Sequence, residues 1–168
     1  MKKIVTMSIL LLGLFSATYA QDYSNLDRIP LKEKADYQKN EAQVLECSNY
    51  ILSSTATENH NNINNLNALK FLIRWMSGTP DFQFDIDATI AEPSKSNPAL
   101  LGVYMACMAK FVLENKDKAK DPKEVKYNSI LTFIGYCEDA SKMVKPNREL
   151  KKLIKAKNDN TLKEYLKL

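Results

Sequence analysis

Asn97-Pro98-Ala99-Leu100-Leu101-Gly102-Val103-Tyr104-Met105-Ala106-Cys107-Met108-Ala109-Lys110-Phe111-Val112-Leu113 carries no charged side chain from Ala99 to Met108. Asn97 offers a side-chain cap and Pro98 suits the first helical position, so the stretch predicts a helix that is apolar on nearly every face. A helix of that kind must be surrounded by other helices. The rest of the chain supplies them.

On the N-terminal side, Ile63, Leu66, Leu69, Phe71, Leu72, Trp75 and Met76 recur at helical spacing, and Gly78 followed by Pro80 supplies the stop. Asp81 to Asp87 then alternates acidic or amide residues with apolar ones. Period two places Phe82, Phe84 and Ile86 on one side of an extended segment, and with no partner strand in the sequence it reads as an extended crossover. Ala88 to Ser96 completes a long connection into the central helix. Further back, Tyr37, Val44, Leu45, Ile51 and Leu52 predict a first amphipathic helix from about Lys32 to Ser53, followed by a polar loop from Ser54 to Asn61. Residues 21 to 30 have no helical period and form an irregular lead-in that can pack through Tyr23, Leu26 and Ile29.

On the C-terminal side, Glu114 to Lys120 is charged and is expected to fray. Asp121-Pro122-Lys123-Glu124 restarts a helix, with Asp121 as cap and Glu124 placed to reach back to the cap amide. That helix carries Val125, Tyr127, Ile130, Leu131, Phe133, Ile134, Tyr136 and Cys137. Asn147 caps a shorter one with Leu150, Leu153 and Ile154 inward, and Thr161 with Glu164 reads as a capping box for a final docked turn. After residue 20 the only glycines are Gly78, Gly102 and Gly135. The expected class is all-α: a single-domain bundle of four main helices around the central apolar helix, plus a short C-terminal helix.

Met1-Lys2-Lys3, an apolar run from Ile4 to Phe15 and Ser16-Ala17-Thr18-Tyr19-Ala20 have the three parts of a secretory signal peptide, with cleavage expected after Ala20. About a dozen apolar residues fall short of the roughly 20 that a membrane-spanning helix needs. The expectation is an exported, soluble domain over 21–168, periplasmic or extracellular, without a transmembrane segment in the mature chain. Loss of Lys2 and Lys3 takes the net charge from +4 to +2, too near neutral to point to a nucleic-acid partner. From Ser141 onward nine basic residues stand against Glu149, Asp159 and Glu164, so the tail is a basic patch on a slightly acidic body. Cys47, Cys107 and Cys137 are too few and too far apart for a disulfide framework, and each sits among apolar neighbours as a buried thiol would. Cys107 with Cys137 is the pair best placed to bridge, if Gly102, Ala106 and Gly135 let their helices approach closely.

Asn49-Tyr50-Ile51-Leu52-Ser53, the turn Trp75-Met76-Ser77-Gly78-Thr79-Pro80-Asp81-Phe82 and the helix end Phe111-Val112-Leu113-Glu114-Asn115-Lys116 resemble a family of small, all-helical secreted bacterial proteins without an assigned activity. The resemblance covers most of the mature chain. Its motifs are helix ends and core residues, so it implies a compartment and a fold but no reaction.

Reaction chemistry is thin. The single histidine, His60, lies in a polar stretch and no Gly-x-Ser-x-Gly elbow accompanies a serine, so a catalytic triad is not expected. The cysteines and His60 lack the close ligand pairs of a zinc site, no glycine-rich phosphate loop is present, and no cofactor or metal is expected. Asp81, Asp85 and Asp87 with Glu92 form a carboxylate cluster whose spacing matches no calcium loop. Trp75, Asp81, Phe82, Phe84, Asp85 and Asp87 bring aromatic surface and carboxylates to one junction, which makes them the candidate ligand-binding residues. Lys145, Arg148, Lys151, Lys152 and Lys155 are the candidate surface-binding residues. The expected function is non-catalytic binding or structural interaction, with an envelope or extracellular protein as possible partner. Two alternatives are an envelope hydrolase using carboxylates near Asp81 to Asp87, and attachment to anionic surfaces through the basic C-terminal helices.

Overall fold

The computed structural model describes residues 23–168, and the signal-peptide reading of residues 1–20 lies outside the described residues. The described chain is all-α, with no strand in it: α1 Lys34–Lys39, α2 Glu41–Ser53, α3 Ala56–Asn61, α4 Ile63–Gly78, α5 Ala88–Ser94, α6 Ala99–Glu114, α7 Pro122–Glu138, α8 Arg148–Asn158 and α9 Leu162–Tyr165. As its composition requires, α6 is enclosed. Leu100, Val103, Tyr104, Ala106, Cys107, Met108, Ala109 and Val112 are all buried, and α2, α3, α4, α5 and α7 pack around them. Asn97 accepts from the Ala99 amide at 3.2 Å, which satisfies one of the otherwise unpaired first-turn N–H groups. α8 lies against α5 and α7, and α9 folds back on α8 with Leu162 and Leu166 buried.

Local hydrogen bonds explain where the chain departs from its sequence pattern. The expected first helix is two: the Asn40 side chain donates to the Asp36 carbonyl at 2.7 Å, competing with the backbone and breaking the helix between α1 and α2. The expected loop Ser54 to Asn61 contains α3, started by a true capping box in which the Thr55 hydroxyl accepts from the Glu58 amide and the Glu58 carboxylate accepts from the Thr55 amide. The connection Ala88 to Ser96 contains α5, capped by Asp87 through the Thr89 amide at 2.8 Å. Two expected boxes are absent. Glu124 accepts from the Asn128 side chain instead of reaching back, leaving Asp121 alone to cap α7, and the Thr161 hydroxyl donates to the Ala156 carbonyl.

The N-terminal lead-in is tied down. Tyr23 stacks on Tyr50 with ring centroids 4.7 Å apart, and the Arg74 guanidinium donates to the carbonyls of Leu26, Asp27 and Ile29. Gly78 is the most crowded of the described glycines: a Cβ there would sit 2.1 Å from the Tyr37 hydroxyl, which itself donates to the Leu31 carbonyl and would have to move. The first part of the α4 stripe does not face the core, since Ile63 is 67% exposed and Leu66 is exposed as well.

All three cysteines are free and buried, so the Cys107–Cys137 bridge is not formed. The glycines that were to permit it point elsewhere. Gly102 faces α4, where an added Cβ would lie 2.8 Å from Leu69, and Gly135 faces open space. Burial pushes the Cys47 and Cys137 thiols up to about 12 and also raises Cys107, so thiolate is scarce at neutral pH. A chromogenic disulfide reagent at pH 8 should therefore react with none of them in the native protein and with three per chain after denaturation. Rapid native reaction of any one would contradict this packing.

Candidate binding site

Trp75 organises the junction from inside. Its side chain is completely buried, its indole N–H donates to the Tyr37 carbonyl at 3.0 Å, and Phe82 and Phe84 lean on its ring with centroids 5.7 and 6.1 Å away. It is therefore a support for a site and not a surface of one. Along the crossover, Phe82 and Phe84 are half-buried while Gln83 and Asp85 are exposed, the alternation that extended backbone gives. Ile86 departs from that alternation and turns outward, against the sequence reading.

The carboxylates do not converge. Asp81 accepts from Lys34 at 2.6 Å and from Gln38 at 2.8 Å, bonds that hold its carboxyl below the usual range. Asp87 caps α5 and pairs with Lys126 at 2.6 Å. Burial pushes its carboxyl up, but the bonds from Lys126 and Thr89 outweigh that and leave it below the usual range. Glu92 pairs with Lys95. No three His, Cys, Asp or Glu residues among those described come close enough together to hold a metal ion.

What the crossover does build is a groove. It is lined by Gln83, Phe84 and Asp85 of the crossover, Tyr104 and Met108 of α6, Pro122, Lys123, Val125 and Lys126 of α7, and Leu168. It has a volume of about 470 Å³, within the range of small-ligand and side-chain pockets. Four polar side-chain groups in it make no hydrogen bond or ion pair with any described residue: the Gln83 amide, the Asp85 carboxylate, the Lys123 ammonium and the Tyr104 hydroxyl. Tyr104 is only 2% exposed and its ring stands edge-on to Phe133 at 6.0 Å, so the hydroxyl is fixed in place. Burial, then the charge of Asp87, raise its pKa, and it remains a donor throughout the physiological range.

Of the sequence candidates, the groove contains Phe84 and Asp85, while Phe82 packs beside it against Trp75. Tyr104, Met108, Val125, Lys123 and Lys126 are additions. The apolar ones read as core and the lysines as the wet face of α7, and only the fold sets them beside the crossover.

The basic tail is largely self-neutralised. Arg148 and Lys152 both pair with Glu149 at 2.9 Å, and Lys155 pairs with Asp159. Lys145 and Lys151 are exposed and in no ion pair with a described residue. His60 is exposed on the last turn of α3. No described helix is long and apolar enough to cross a membrane.

A second cluster escaped the sequence altogether. Asn59 donates to the Ile51 carbonyl at 2.9 Å and to the Tyr136 hydroxyl at 3.2 Å, while Asn65 donates to Asn59 and to the Ser54 hydroxyl, each at 2.7 Å. Tyr136 in turn donates to the Ser54 carbonyl at 3.0 Å. This buried network ties α2, α3, α4 and α7 together and gives the asparagine-rich stretch a structural role. No protein-family model, curated protein or solved structure matches the chain.

Proposed function

We propose that the protein is an exported, non-catalytic binding domain that holds its partner in the groove between the crossover, α6 and α7. The observation that carries this reading is a largely apolar groove of about 470 Å³ in which Gln83, Asp85, Lys123 and the Tyr104 hydroxyl have no side-chain partner among the described residues, Lys126 alone of its polar side chains being paired. Such groups orient a ligand. An envelope hydrolase is less well supported, because hydrolysis by a carboxyl pair needs one member with a raised pKa, and Asp81 and Asp87 are both held down by separate lysines. Attachment to anionic surfaces would have to work against Glu149 and Asp159, which already occupy three of the five candidate cations. Export to the periplasm or beyond rests on the signal-like Met1 to Ala20 and on the resemblance to small secreted bacterial proteins.

Titration with anilinonaphthalene sulfonate, an apolar ring system with one negative charge, tests the groove directly. The methyl resonances of Met108 and Val125 should shift and the thermal midpoint should rise, because a ligand that binds only the folded state stabilises it. Shifts confined to the open surface of α2 around Leu45, or none, would refute the groove.

A further inference from the structure

The crossover has an unused edge. The backbone N–H and C=O groups of Phe82, Gln83, Phe84, Asp85 and Ile86 make no hydrogen bond with any described residue. Five consecutive residues outside any helix and without backbone partners, up to about 17 Å of chain if extended, offer donors and acceptors of the kind that pair with an added strand. Gln83, Phe84 and Asp85 of this segment line the groove. A smaller recess of about 210 Å³ between Asp81 and Ala119 continues it, sharing Gln83 and Pro122 with the larger groove. A small amphiphile would fill the apolar volume and leave the backbone row unsatisfied.

Three of the unpartnered polar groups define what an added strand must carry. The Tyr104 hydroxyl lines an apolar groove, which suits a large side chain with an acceptor at its tip, as tyrosine has. Lys123 and Asp85 line the same groove as Tyr104, which suits an acidic and a basic residue flanking the inserted side chain. In an extended peptide, residues two places before and after the inserted one share its face.

We propose that an extended peptide segment of a partner protein docks along Phe82 to Ile86 as an added strand, placing a tyrosine-like side chain in the groove between acidic and basic residues that meet Lys123 and Asp85. This inference rests on the groove being the binding site. It identifies the partner by chemistry as a protein with an exposed strand or tail of the pattern acid, spacer, tyrosine, spacer, base, in either chain direction.

The probes are end-blocked peptides Glu-Thr-Tyr-Thr-Lys and the reversed Lys-Thr-Tyr-Thr-Glu, their phenylalanine counterparts and versions N-methylated at single amides, titrated into the purified protein. One direction should bind, and N-methylation of an amide facing the crossover should weaken it about tenfold, through a lost hydrogen bond and a clash. Tyrosine should bind about fivefold more tightly than phenylalanine, and Tyr104→Phe should erase that preference. The variant removes only an unpartnered hydroxyl, so its thermal midpoint should not fall. Lys123→Glu lies in the first turn of α7, where an acidic residue is tolerated, and should weaken the glutamate peptide several-fold. Exchanging that glutamate for lysine should restore binding. Binding indifferent to N-methylation, or a tyrosine preference that survives Tyr104→Phe, overturns the proposal. If no peptide binds while anilinonaphthalene sulfonate still shifts Met108, the peptide partner is wrong and the groove stands. If neither binds, the groove falls too.

Discussion

Trp75→Ala is expected to lower the free energy of unfolding by about 3–5 kcal/mol, the range for truncating a fully buried aromatic residue. The cost has three parts here. The cavity would open at the junction of α4 with the crossover, where Phe82 and Phe84 rest on the indole. The Tyr37 carbonyl would lose its donor at 3.0 Å. The crossover would lose the surface that keeps Phe84 in the groove lining, so probe binding should fall along with stability. Trp75→Phe separates these parts: it keeps most of the ring packing and loses the N–H, and it should cost roughly 1–3 kcal/mol. Urea unfolding followed by circular dichroism is the suitable measurement, since the chain has a single tryptophan. A loss below about 1 kcal/mol for the alanine variant would mean that Trp75 is not the support described.

Asn59→Leu should be the most damaging change among the polar residues, on the order of 3 kcal/mol, although the leucine is close in volume and more apolar. Removing the amide strands the Ile51 carbonyl at the end of α2, takes one donor from the Tyr136 hydroxyl and takes the acceptor from Asn65. Each group left unsatisfied in a dry interior costs more than an average hydrogen bond contributes. By contrast Asn61 and Asn62 sit in the same asparagine-rich stretch but are exposed, and Asn61→Leu should change stability by less than about 0.5 kcal/mol. Equal effects at Asn59 and Asn61 in the same urea assay would remove the network from the account.

These two sites also mark how far the sequence could be read. Trp75, its helix and the stop at Gly78 were legible because apolar periodicity and a Gly-Pro terminus are local signals. The same holds for α6, whose uncharged run leaves no solvent face, and for the Asp121-Pro122 start of α7. Asn59 and Asn65 were not legible as core: an asparagine is buried only when donors and acceptors meet it, and here they come from Tyr136, 77 residues away in the chain. The Thr55 to Glu58 capping box was present in the letters, but the polar run around it read as a loop. Asn40 breaks a helix through its own side-chain bond, which composition does not reveal.

The site was half legible for the same reason. Phe84 and Asp85 announced themselves by alternation. Tyr104 and Met108 were indistinguishable from core, since a residue lining a groove and a core residue have the same apolar neighbours in sequence. Lys123 and Lys126 read as an ordinary wet helix face.

Amide hydrogen exchange across Phe82 to Ile86, with and without the tyrosine peptide, tests the central claim most directly. Fast exchange is expected at all five residues in the free protein, because none of their amides is hydrogen-bonded to a described residue, with slowing on peptide addition at those that pair. Protection in the free protein, or exchange that the bound peptide leaves unchanged, would contradict it.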